Sequence, residues 1–374
     1  MKKRVLIPYA TYGNGHKSIA NYIKNYFEEN GEYECLTLDL ISYSLPILGK
    51  MSRKTSNFIM SKIPGIWSII YYAFDNKLST YISSGLYLKI FDNKELRKVI
   101  NEFNPDITVA THFWGTDIIN KYNKKGITDS KIVTVVTDYK AHDFWLKSIK
   151  GIDKIIVSSF EERLHLLRKG FKNKQIHTTG IPISPEIISD ERKKELLKKF
   201  KLKNNKKTVL FFVGGSEGTL SNLIYFKEVL KNNYDCNILF IAGKNDKAFV
   251  KAKEYVKRYN FKNAHIYGFV TNINEFYQVS DFVVTKPGGV QVTECLYFER
   301  PMLLIKSNGG QEIENRSFLV KKGYAKRAKT IFSFNKYFKE MLYNEKVRNK
   351  MQNNISKINS KESMEKLFKI VEKL

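Results

Sequence analysis

Cysteine and long apolar runs are scarce in this sequence of 374 residues. Its three cysteines, Cys35, Cys236 and Cys295, lie far apart and form no C-x-x-C pair. This spacing excludes a disulfide scaffold, gives no support for a zinc ribbon and suits a reducing compartment. The longest nearly apolar run, residues 63–74, contains proline, glycine and serine, whereas a helix that crosses a bilayer needs about 20 apolar residues. We therefore expect no transmembrane helix.

Acidic residues are also few, because 37 Asp and Glu stand against 64 Lys and Arg and give a formal net charge of +27. The basic N-terminus begins like a signal peptide, but only a short strand-like run follows, without a small-residue cleavage site. Hydrophobic residues make up 43% of the chain and aromatic residues 13%, which excludes a disordered basic tail. We expect a cytoplasmic protein whose charge indicates an anionic partner: a nucleic acid, a nucleotide or a membrane surface.

Short apolar runs alternate with longer segments of mixed polarity. The runs are rich in Val and Ile without strict alternation, which is typical of strands buried on both faces of a parallel sheet. The predicted strands span residues 4–10, 34–41, 107–111, 131–137, 154–158, 175–179, 208–213, 237–242, 264–267, 281–285 and 301–305. Between them, residues 17–30 place Ile19, Ile23 and Phe27 on one helical stripe. This alternation predicts an α/β fold.

The chain length, at about 150 residues per domain, suggests two domains. In each half a buried strand leads into a glycine-containing turn and then a helix. We interpret residues 1–184 and 185–355 as two doubly wound domains, with residues 356–374 packing back on the first. Ligands of such sheets bind beyond the carboxyl ends of the strands. Two such domains that face each other would place both sets of loops at one cleft.

The loop after the first strand, residues 11–16, ends in His16. A dinucleotide-binding turn would need glycine at position 18, where Ser18 stands. The dipole of the following helix disfavours a protonated imidazole, so we expect His16 to be neutral and able to accept a proton. The spacing leaves open a surface histidine that only caps the helix.

Two glycine-containing turns in the second half suit a nucleotide. Gly214-Gly215-Ser216 and Lys286-Pro287-Gly288-Gly289 each follow a strand and precede a helix. Backbone amides at such turns, together with the helix dipole, favour a phosphate. In the second of these helices, Glu294 is a candidate for accepting hydrogen bonds from ribose hydroxyls.

Amide and carboxylate side chains follow the strand at residues 301–305. Gln311, Glu312 and Asn315 would share one helical face and carry the groups that hold sugar hydroxyls. A capped helix with a solvated polar face is the alternative interpretation.

Residues 42–91 break the alternation of strands and helices and hold few acidic side chains. Basic residues precede aromatic ones here, and the candidates for membrane contact are Lys50, Arg53, Lys54, Lys62, Trp67 and Tyr71. This pattern suits the interface of an anionic membrane. Composition alone favours equally a helical insertion whose aromatic residues are ordinary core.

Taken together, the motifs resemble those of the diacylglycerol glycosyltransferases, which include bacterial processive diacylglycerol glucosyltransferases and plastid monogalactosyldiacylglycerol synthases. The resemblance runs from about residue 3 to residue 330. The motifs that carry it are Gly13-x-Gly15-His16-x-Ser18-x-Ala20, Thr137-Asp138-x-x-x-His142-x-x-Trp145, Gly180-Ile181-Pro182-Ile183, Lys286-Pro287-Gly288-Gly289 with Glu294, and Gly310-Gln311-Glu312-x-x-Asn315. The resemblance implies a GT-B fold, with an acceptor domain followed by a nucleotide-sugar domain, and transfer of glucose or galactose from a UDP-sugar to the 3-hydroxyl of diacylglycerol with inversion.

The resemblance also implies roles for individual residues. His16 would be the general base, and Asp138 a partner that orients an imidazole. The residues lining the acceptor side would be His112, Asp138, His142 and Trp145. The residues holding the UDP-sugar would be Gly15, Gly215, Ser216, Phe269, Val270, Lys286, Gly288, Gly289, Glu294, Gln311, Glu312 and Asn315. Residues 42–91 fall where the family places its membrane-binding region, which implies a peripheral enzyme on the inner face of the cell membrane.

The sequence contains no two aspartates two positions apart, the pattern usual for a metal-bound diphosphate. We therefore expect no metal and no cofactor beyond the UDP-hexose donor, with Lys286, glycine amides and helix N-termini balancing the charge of the departing UDP.

Three alternatives remain at this point. An N-acetylglucosaminyl transferase acting on the lipid-linked peptidoglycan precursor usually has a more glycine-rich acceptor loop and lacks the long aromatic and basic segment. A sugar-nucleotide 2-epimerase needs a carboxylate pair that the sequence does not clearly provide. A nucleic-acid-binding protein would show clustered lysines and a recognisable module, but the lysines are spread along the chain, so we expect no nucleic-acid partner.

Overall fold

The computed structural model describes residues 2–11, 15–44, 88–89, 92–213, 220–307, 309–358 and 360–374. The chain divides into two compact units. The first comprises Met1–Ser184, Gly309–Glu314 and Ser360–Leu374, and the second comprises Pro185–Asn308 and Asn315–Asn359.

The first unit is a parallel sheet with helices between successive strands. Its strands are β1 (Lys3–Tyr9), β2 (Tyr33–Asp39), β3 (Ile107–Ala110), β4 (Lys131–Val135), β5 (Lys154–Val157) and β6 (Ile176–Thr178). Its helices are α1 (Gly15–Asn30), α2 (Leu40–Ser44), α3 (Lys94–Phe103), α4 (Phe113–Lys124), α5 (Phe160–Lys169) and, from the C-terminus, α14 (Ser363–Glu372). Among the described residues the strand order is β2-β1-β3-β4-β5-β6.

The second unit is built in the same way. Its strands are β7 (Thr208–Phe212), β8 (Asn237–Ile241), β9 (Ala264–Tyr267), β10 (Phe282–Thr285), β11 (Met302–Leu304) and β12 (Ala325–Arg327). Its helices are α6 (Asp190–Lys199), α7 (Leu223–Lys231), α8 (Asp246–Arg258), α9 (Ile273–Val279), α10 (Gly289–Tyr297), α12 (Ile331–Tyr343) and α13 (Glu345–Ser356). Helix α11 (Gln311–Lys321) is divided, because its residues up to Glu314 are grouped with the first unit and its residues from Asn315 with the second. In the part of the chain that is described, the strands lie in the order β9-β8-β7-β10-β11-β12.

The predicted α/β fold is confirmed, and every predicted strand overlaps an observed one. The second predicted strand is too long, because residues 40–41 begin α2 instead of continuing β2. The predicted helix at residues 17–30 begins two residues earlier, at Gly15. Strand β12 was not predicted, because Ala325-Lys326-Arg327 is an edge strand without an apolar run, and its side chains grade from buried to exposed.

Each sheet has one position where the chain reverses its direction of winding. In the first unit β1 pairs with β2 on one side and β3 on the other, both in parallel. In the second unit β7 lies between β8 and β10 in the same way. A crevice forms beyond the carboxyl ends of the strands at such a position, so the loops after β1 and β3, and after β7 and β10, are where ligands are expected.

The central strands are apolar because helices cover them on both faces, and all five residues of β7 and of β8 are buried. The predicted stripe of α1 is also confirmed, because Ile19, Ile23 and Phe27 are fully buried. Helix α14 adds Phe368 to the same layer, with ring centroids 5.2 Å from Phe27 and 5.7 Å from Tyr33. Burial of one such side chain contributes about 1.5–3 kcal/mol.

Candidate functional site

His16 lies at the carboxyl end of β1, as the second residue of α1, and its side chain is partly buried. Its Nδ1 is 2.7 Å from the backbone carbonyl oxygen of Thr111 and 3.2 Å from the hydroxyl of Thr137. A carbonyl oxygen only accepts hydrogen bonds, so Nδ1 carries the proton in the neutral ring. The other ring nitrogen, Nε2, therefore keeps a lone pair and is a proton acceptor.

The protonation state of His16 follows from its surroundings. Burial lowers its pKa to about 4, although the hydrogen bond to the Thr111 carbonyl opposes this change. The imidazole is consequently neutral at pH 7. The sequence predicted a neutral His16 from the dipole of the helix. In the structure, desolvation is the main cause of its lowered pKa.

A second histidine, His112, caps the N-terminus of α4 after β3. Its Nδ1 accepts a hydrogen bond from the backbone N–H of Trp114 at 3.3 Å, so the neutral ring carries its proton on Nε2. Burial places the pKa of His112 well below its usual value, and the nearby His16 lowers it further. The two rings meet edge to face with centroids 4.8 Å apart. Together they provide one acceptor nitrogen and one donor nitrogen where β1 and β3 end side by side in the first sheet.

Aromatic rings extend this site from His112. Phe113 stacks on His112 at a centroid distance of 4.2 Å and on Phe144 at 5.0 Å. Phe144 in turn stacks on His142 at 4.6 Å. Trp145 lies 5.8 Å from Phe113. We call His112, Phe113, His142, Phe144 and Trp145 the aromatic cluster. It brings together three of the four predicted acceptor-side residues, which lie about 30 positions apart in the chain.

The fourth predicted acceptor-side residue, Asp138, is partly buried in the segment after β4. The hydrogen bonds that hold the His16 ring come from Thr111 and Thr137, so the orienting role of Asp138 stays a prediction. Sequence reasoning missed both threonines. Thr137 had a signal, because it stands first in the Thr137-Asp138-x-x-x-His142-x-x-Trp145 motif, whereas Thr111 acts through its backbone carbonyl.

Gly115 sets the position of the start of α4. A Cβ atom at this residue would lie 2.6 Å from Cγ of Pro8, which belongs to β1. Only glycine therefore allows the first turn of α4 to approach β1 so closely. Because His112 caps this turn, the contact also fixes His112 relative to β1.

In the second unit, the turn after β10 contains Lys286, Gly288 and Gly289. Gly288 is the N-cap of α10, and a Cβ atom built there has no heavy atom within 4 Å. Packing thus does not require glycine at this residue, and the space beside the N-terminus of α10 is open. Open space at a helix N-terminus suits a phosphate group. The companion residues Gly215 and Ser216, after β7, lie outside the described residues.

Three further predicted donor-side residues have defined environments. Glu294 Oε2 accepts a hydrogen bond of 3.0 Å from the hydroxyl of the buried Tyr277. Asn315 is fully buried, and its Nδ2 donates to the carbonyl oxygen of Pro287 at 3.2 Å, which ties α11 to the glycine turn after β10. Gln311 begins α11, and its Oε1 is buried without a hydrogen-bond partner among the described residues. An unpaired buried carbonyl is costly, so this oxygen is suited to a ligand hydroxyl.

Of the remaining donor-side residues, Phe269 and Val270 follow β9 in the chain, and Glu312 follows β11. Phe269 is 58% exposed, and Nζ of Lys244 lies 5.1 Å from its ring centroid. Val270 is partly buried and Glu312 is buried. In the second unit, Phe269, Val270 and the turn at Gly288 each follow the carboxyl end of a parallel strand, which is the expected location of a ligand.

The predicted membrane residues lie outside the described part of the chain; these are Lys50, Arg53, Lys54, Lys62, Trp67 and Tyr71. No helix among the described residues is both long and apolar enough to cross a bilayer. Within the same residues, no three His, Cys, Asp or Glu side chains are grouped as metal ligands would be.

Two family models match the chain. The model "Monogalactosyldiacylglycerol (MGDG) synthase" matches residues 16–183, and the model "Glycosyltransferase family 28 C-terminal domain" matches residues 209–368. The processive diacylglycerol β-glucosyltransferase of Bacillus pumilus (strain SAFR-032) is 29% identical over 323 residues, which is 86% of this chain and 82% of that protein. Over most of its length the chain is thus similar to the diacylglycerol glycosyltransferases.

Solved structures agree with a GT-B fold for this chain. The UDP complex of MnaA from S. aureus superposes with a TM-score of 0.61 at 15% identity, covering 98% of this chain and 94% of that one. UGT2 of Phytolacca americana, in complex with UDP-2-fluoro-glucose and pterostilbene, gives a TM-score of 0.66 at 13% identity and covers 99% of both chains. At these identities the likeness concerns the fold alone.

Proposed function

We propose that the protein transfers a hexose from a UDP-sugar to the 3-hydroxyl of diacylglycerol, with inversion at the anomeric carbon. The observation that carries this proposal is the neutral His16, whose Nδ1–H is bound to the Thr111 carbonyl and whose Nε2 is left as a base. Similarity to this family supports the class of donor and acceptor, because the B. pumilus relative is named a processive diacylglycerol β-glucosyltransferase.

On the acceptor side, the hydroxyl proton passes to Nε2 of His16 while the hydroxyl oxygen attacks the anomeric carbon. Proton uptake turns this imidazole into an imidazolium, and the adjacent His112 stays neutral because burial holds its pKa well below the usual value. The aromatic cluster supplies an apolar face next to the base, which suits a hydroxyl attached to a glyceride.

On the donor side, the bond between the anomeric carbon and the diphosphate oxygen breaks, and UDP leaves with the electron pair. We assign Lys286 and the N-terminus of α10, with its open space at Gly288, to this developing charge. Glu294, held by Tyr277, would accept hydrogen bonds from the ribose, and Gln311 Oε1 would accept one from the hexose. We propose that these groups act without a metal ion, so that transfer persists in excess chelator.

Two finer assignments belong to the same proposal. Glucose is the hexose we favour, because the relatives that match most of the chain are named glucosyltransferases. We also propose that the enzyme acts as a peripheral protein on the inner face of the cell membrane, where the basic and aromatic residues between positions 50 and 71 would contact anionic lipid at about 1 kcal/mol per basic group.

The test is an incubation of the purified protein with vesicles containing diacylglycerol and with UDP-glucose or UDP-galactose in separate reactions. We expect a monohexosyl or oligohexosyl glycerolipid with β anomeric protons in its NMR spectrum, formed fastest from UDP-glucose. A product formed only from UDP-galactose would contradict the choice of sugar. Absence of any glycolipid, with UDP released only by hydrolysis, would contradict the proposed function.

A further inference from the structure

A cavity of about 360 Å³ lies in the second unit at the amino ends of β7 and β10. Thr208, the first residue of β7, and Asp281, which precedes β10, both line it. Lys286 of the proposed donor site follows the other end of β10, five residues further along an extended strand. At about 3.3 Å per residue, some 16 Å separates the cavity from that turn. The cavity is therefore distinct from the site described above.

The lining of this cavity carries excess positive charge. Its basic residues are Lys193, Lys203, Lys206, Lys207 and Arg300, and its acidic residue is Asp281. Two of the lysines are paired, because Lys206 contacts Asp235 and Lys207 lies 3.0 Å from Asp281. Neither Lys193 nor Lys203 has an ion-pair partner among the described residues.

Asp281 has little capacity left for further cations. Its Oδ2 accepts a hydrogen bond of 2.8 Å from the backbone N–H of Thr208, and its Oδ1 accepts the contact with Lys207. The side-chain amides of Asn204 and Asn205 also line the cavity and add neutral hydrogen-bond donors. The charge that remains unmatched on the wall of the cavity is thus positive.

Arg300 gives the cavity a buried cationic donor. Its Nε is buried and has no hydrogen-bond partner within the described residues, and one terminal nitrogen makes a long contact of 3.4 Å to the Gln278 carbonyl. Burial lowers the pKa of Arg300, although Asp281 opposes this change. A guanidinium nevertheless keeps its charge in proteins. Because a buried N–H without a partner costs free energy, an anion that accepts a hydrogen bond from Nε would be stabilising here.

We propose that this cavity is a second anion site, which binds a phosphate group carried by a small molecule. Lys193 and Lys203, together with the unpaired Nε–H of Arg300, suit a group with two negative charges better than a single carboxylate. The volume is within the range of about 300–1,000 Å³ that small-molecule sites occupy. A phosphate of this kind is either free in solution, as in glycerol 3-phosphate, or part of a lipid headgroup.

The experiment compares two double variants that remove the same charge from the second unit. Lys193→Ala/Lys203→Ala alters the cavity, whereas Lys336→Ala/Lys339→Ala alters a separate surface of α12. Inorganic phosphate and glycerol 3-phosphate are titrated by calorimetry into each protein with UDP present throughout. We expect the cavity variant to bind these anions about tenfold more weakly or worse and the α12 variant to bind like the wild type.

A second arm measures sedimentation with phosphatidylglycerol vesicles. A loss confined to the cavity variant in the soluble arm assigns the site to a free phosphate, and a loss confined to it in the vesicle arm assigns it to a headgroup. Equal behaviour of the two double variants in both arms would overturn the proposal. So would loss of phosphate binding in Lys286→Ala alone, which would assign all anion binding to the turn after β10.

Discussion

If His16 is the base, the rate of transfer should begin to fall on acidification only well below pH 6.5, the ordinary pKa of histidine. Burial lowers the pKa of this residue to about 4 from the usual 6.5, a difference that corresponds to about 3 kcal/mol in favour of the neutral ring. At pH 5 about 90% of His16 would be neutral and competent, against about 3% of an ordinary histidine. Activity should therefore be nearly unchanged between pH 7 and pH 5.

The assay is kcat/KM for hexose transfer to diacylglycerol vesicles from pH 3.5 to pH 8. Below pH 5 the value should fall as the imidazole of His16 takes up a proton, to about half near pH 4, and below that pH the fall should approach tenfold per pH unit. The vesicles should be uncharged, so that lipid ionisation does not move with pH. A limb centred near 6.5 would refute the assignment of His16 as a buried neutral base.

Stability must be followed over the same range, because the same group links folding to pH. The folded-state pKa of His16 is lower than the unfolded one, so its contribution to stability is present above pH 6.5 and is lost as the pH falls through about 4. Circular dichroism at each pH separates loss of the folded state from protonation of the base. A limb near 4 in a protein that is still folded supports the account.

Four substitutions test the surroundings of the two sites and the packing of α14 on α1. Thr137→Val removes one hydrogen bond to the His16 ring and leaves the Thr111 carbonyl in place. Because such a bond is worth about 1 kcal/mol, we expect a roughly fivefold lower kcat with unchanged UDP affinity. An unchanged kcat would contradict an orienting role for Thr137. Gly115→Ala would place a Cβ atom 2.6 Å from Pro8 Cγ. The cost of this overpacking, about 1–3 kcal/mol in the free energy of urea unfolding, should exceed the gain in helix propensity of up to about 1 kcal/mol. Gly288→Ala meets open space, so it should leave stability unchanged and weaken UDP binding. Phe368→Ala should destabilise the protein by about 3–5 kcal/mol, because this buried ring packs against Phe27; a loss below 1 kcal/mol would contradict docking of α14 on α1.

The fold was readable from the sequence because parallel strands buried on both faces leave continuous Val- and Ile-rich runs. Strand β12 left no such run, since an edge strand of three residues needs only Ala325 to be buried. The strand order could not be predicted from the runs, because parallel pairing is set by crossover helices and not by the strands themselves. It is this order that makes β1 and β3 neighbours in the first sheet, and β7 and β10 neighbours in the second.

The candidate site was predicted in part for a similar reason. The glycine-containing loop before His16 predicted its place in the site. The groups that fix the tautomer of its ring, however, lie 95 and 121 positions away in the chain. One of these groups, the Thr111 carbonyl, is backbone and has no sequence signature. Gly115 also gave no signal, because its importance depends on a contact with Pro8 that exists only once α4 is docked against β1.

The most direct measurement of the central claim compares His16→Ala with His177→Ala, a histidine of the same unit on β6, away from the loops after β1 and β3. Hexose transfer to diacylglycerol and UDP affinity are measured for both variants. Loss of a general base predicts a fall in kcat of about 10²–10⁴ in His16→Ala, with UDP affinity within about twofold of wild type, and near-normal activity in His177→Ala. Full transfer by His16→Ala, or loss of UDP affinity on the same scale as kcat, would contradict the account.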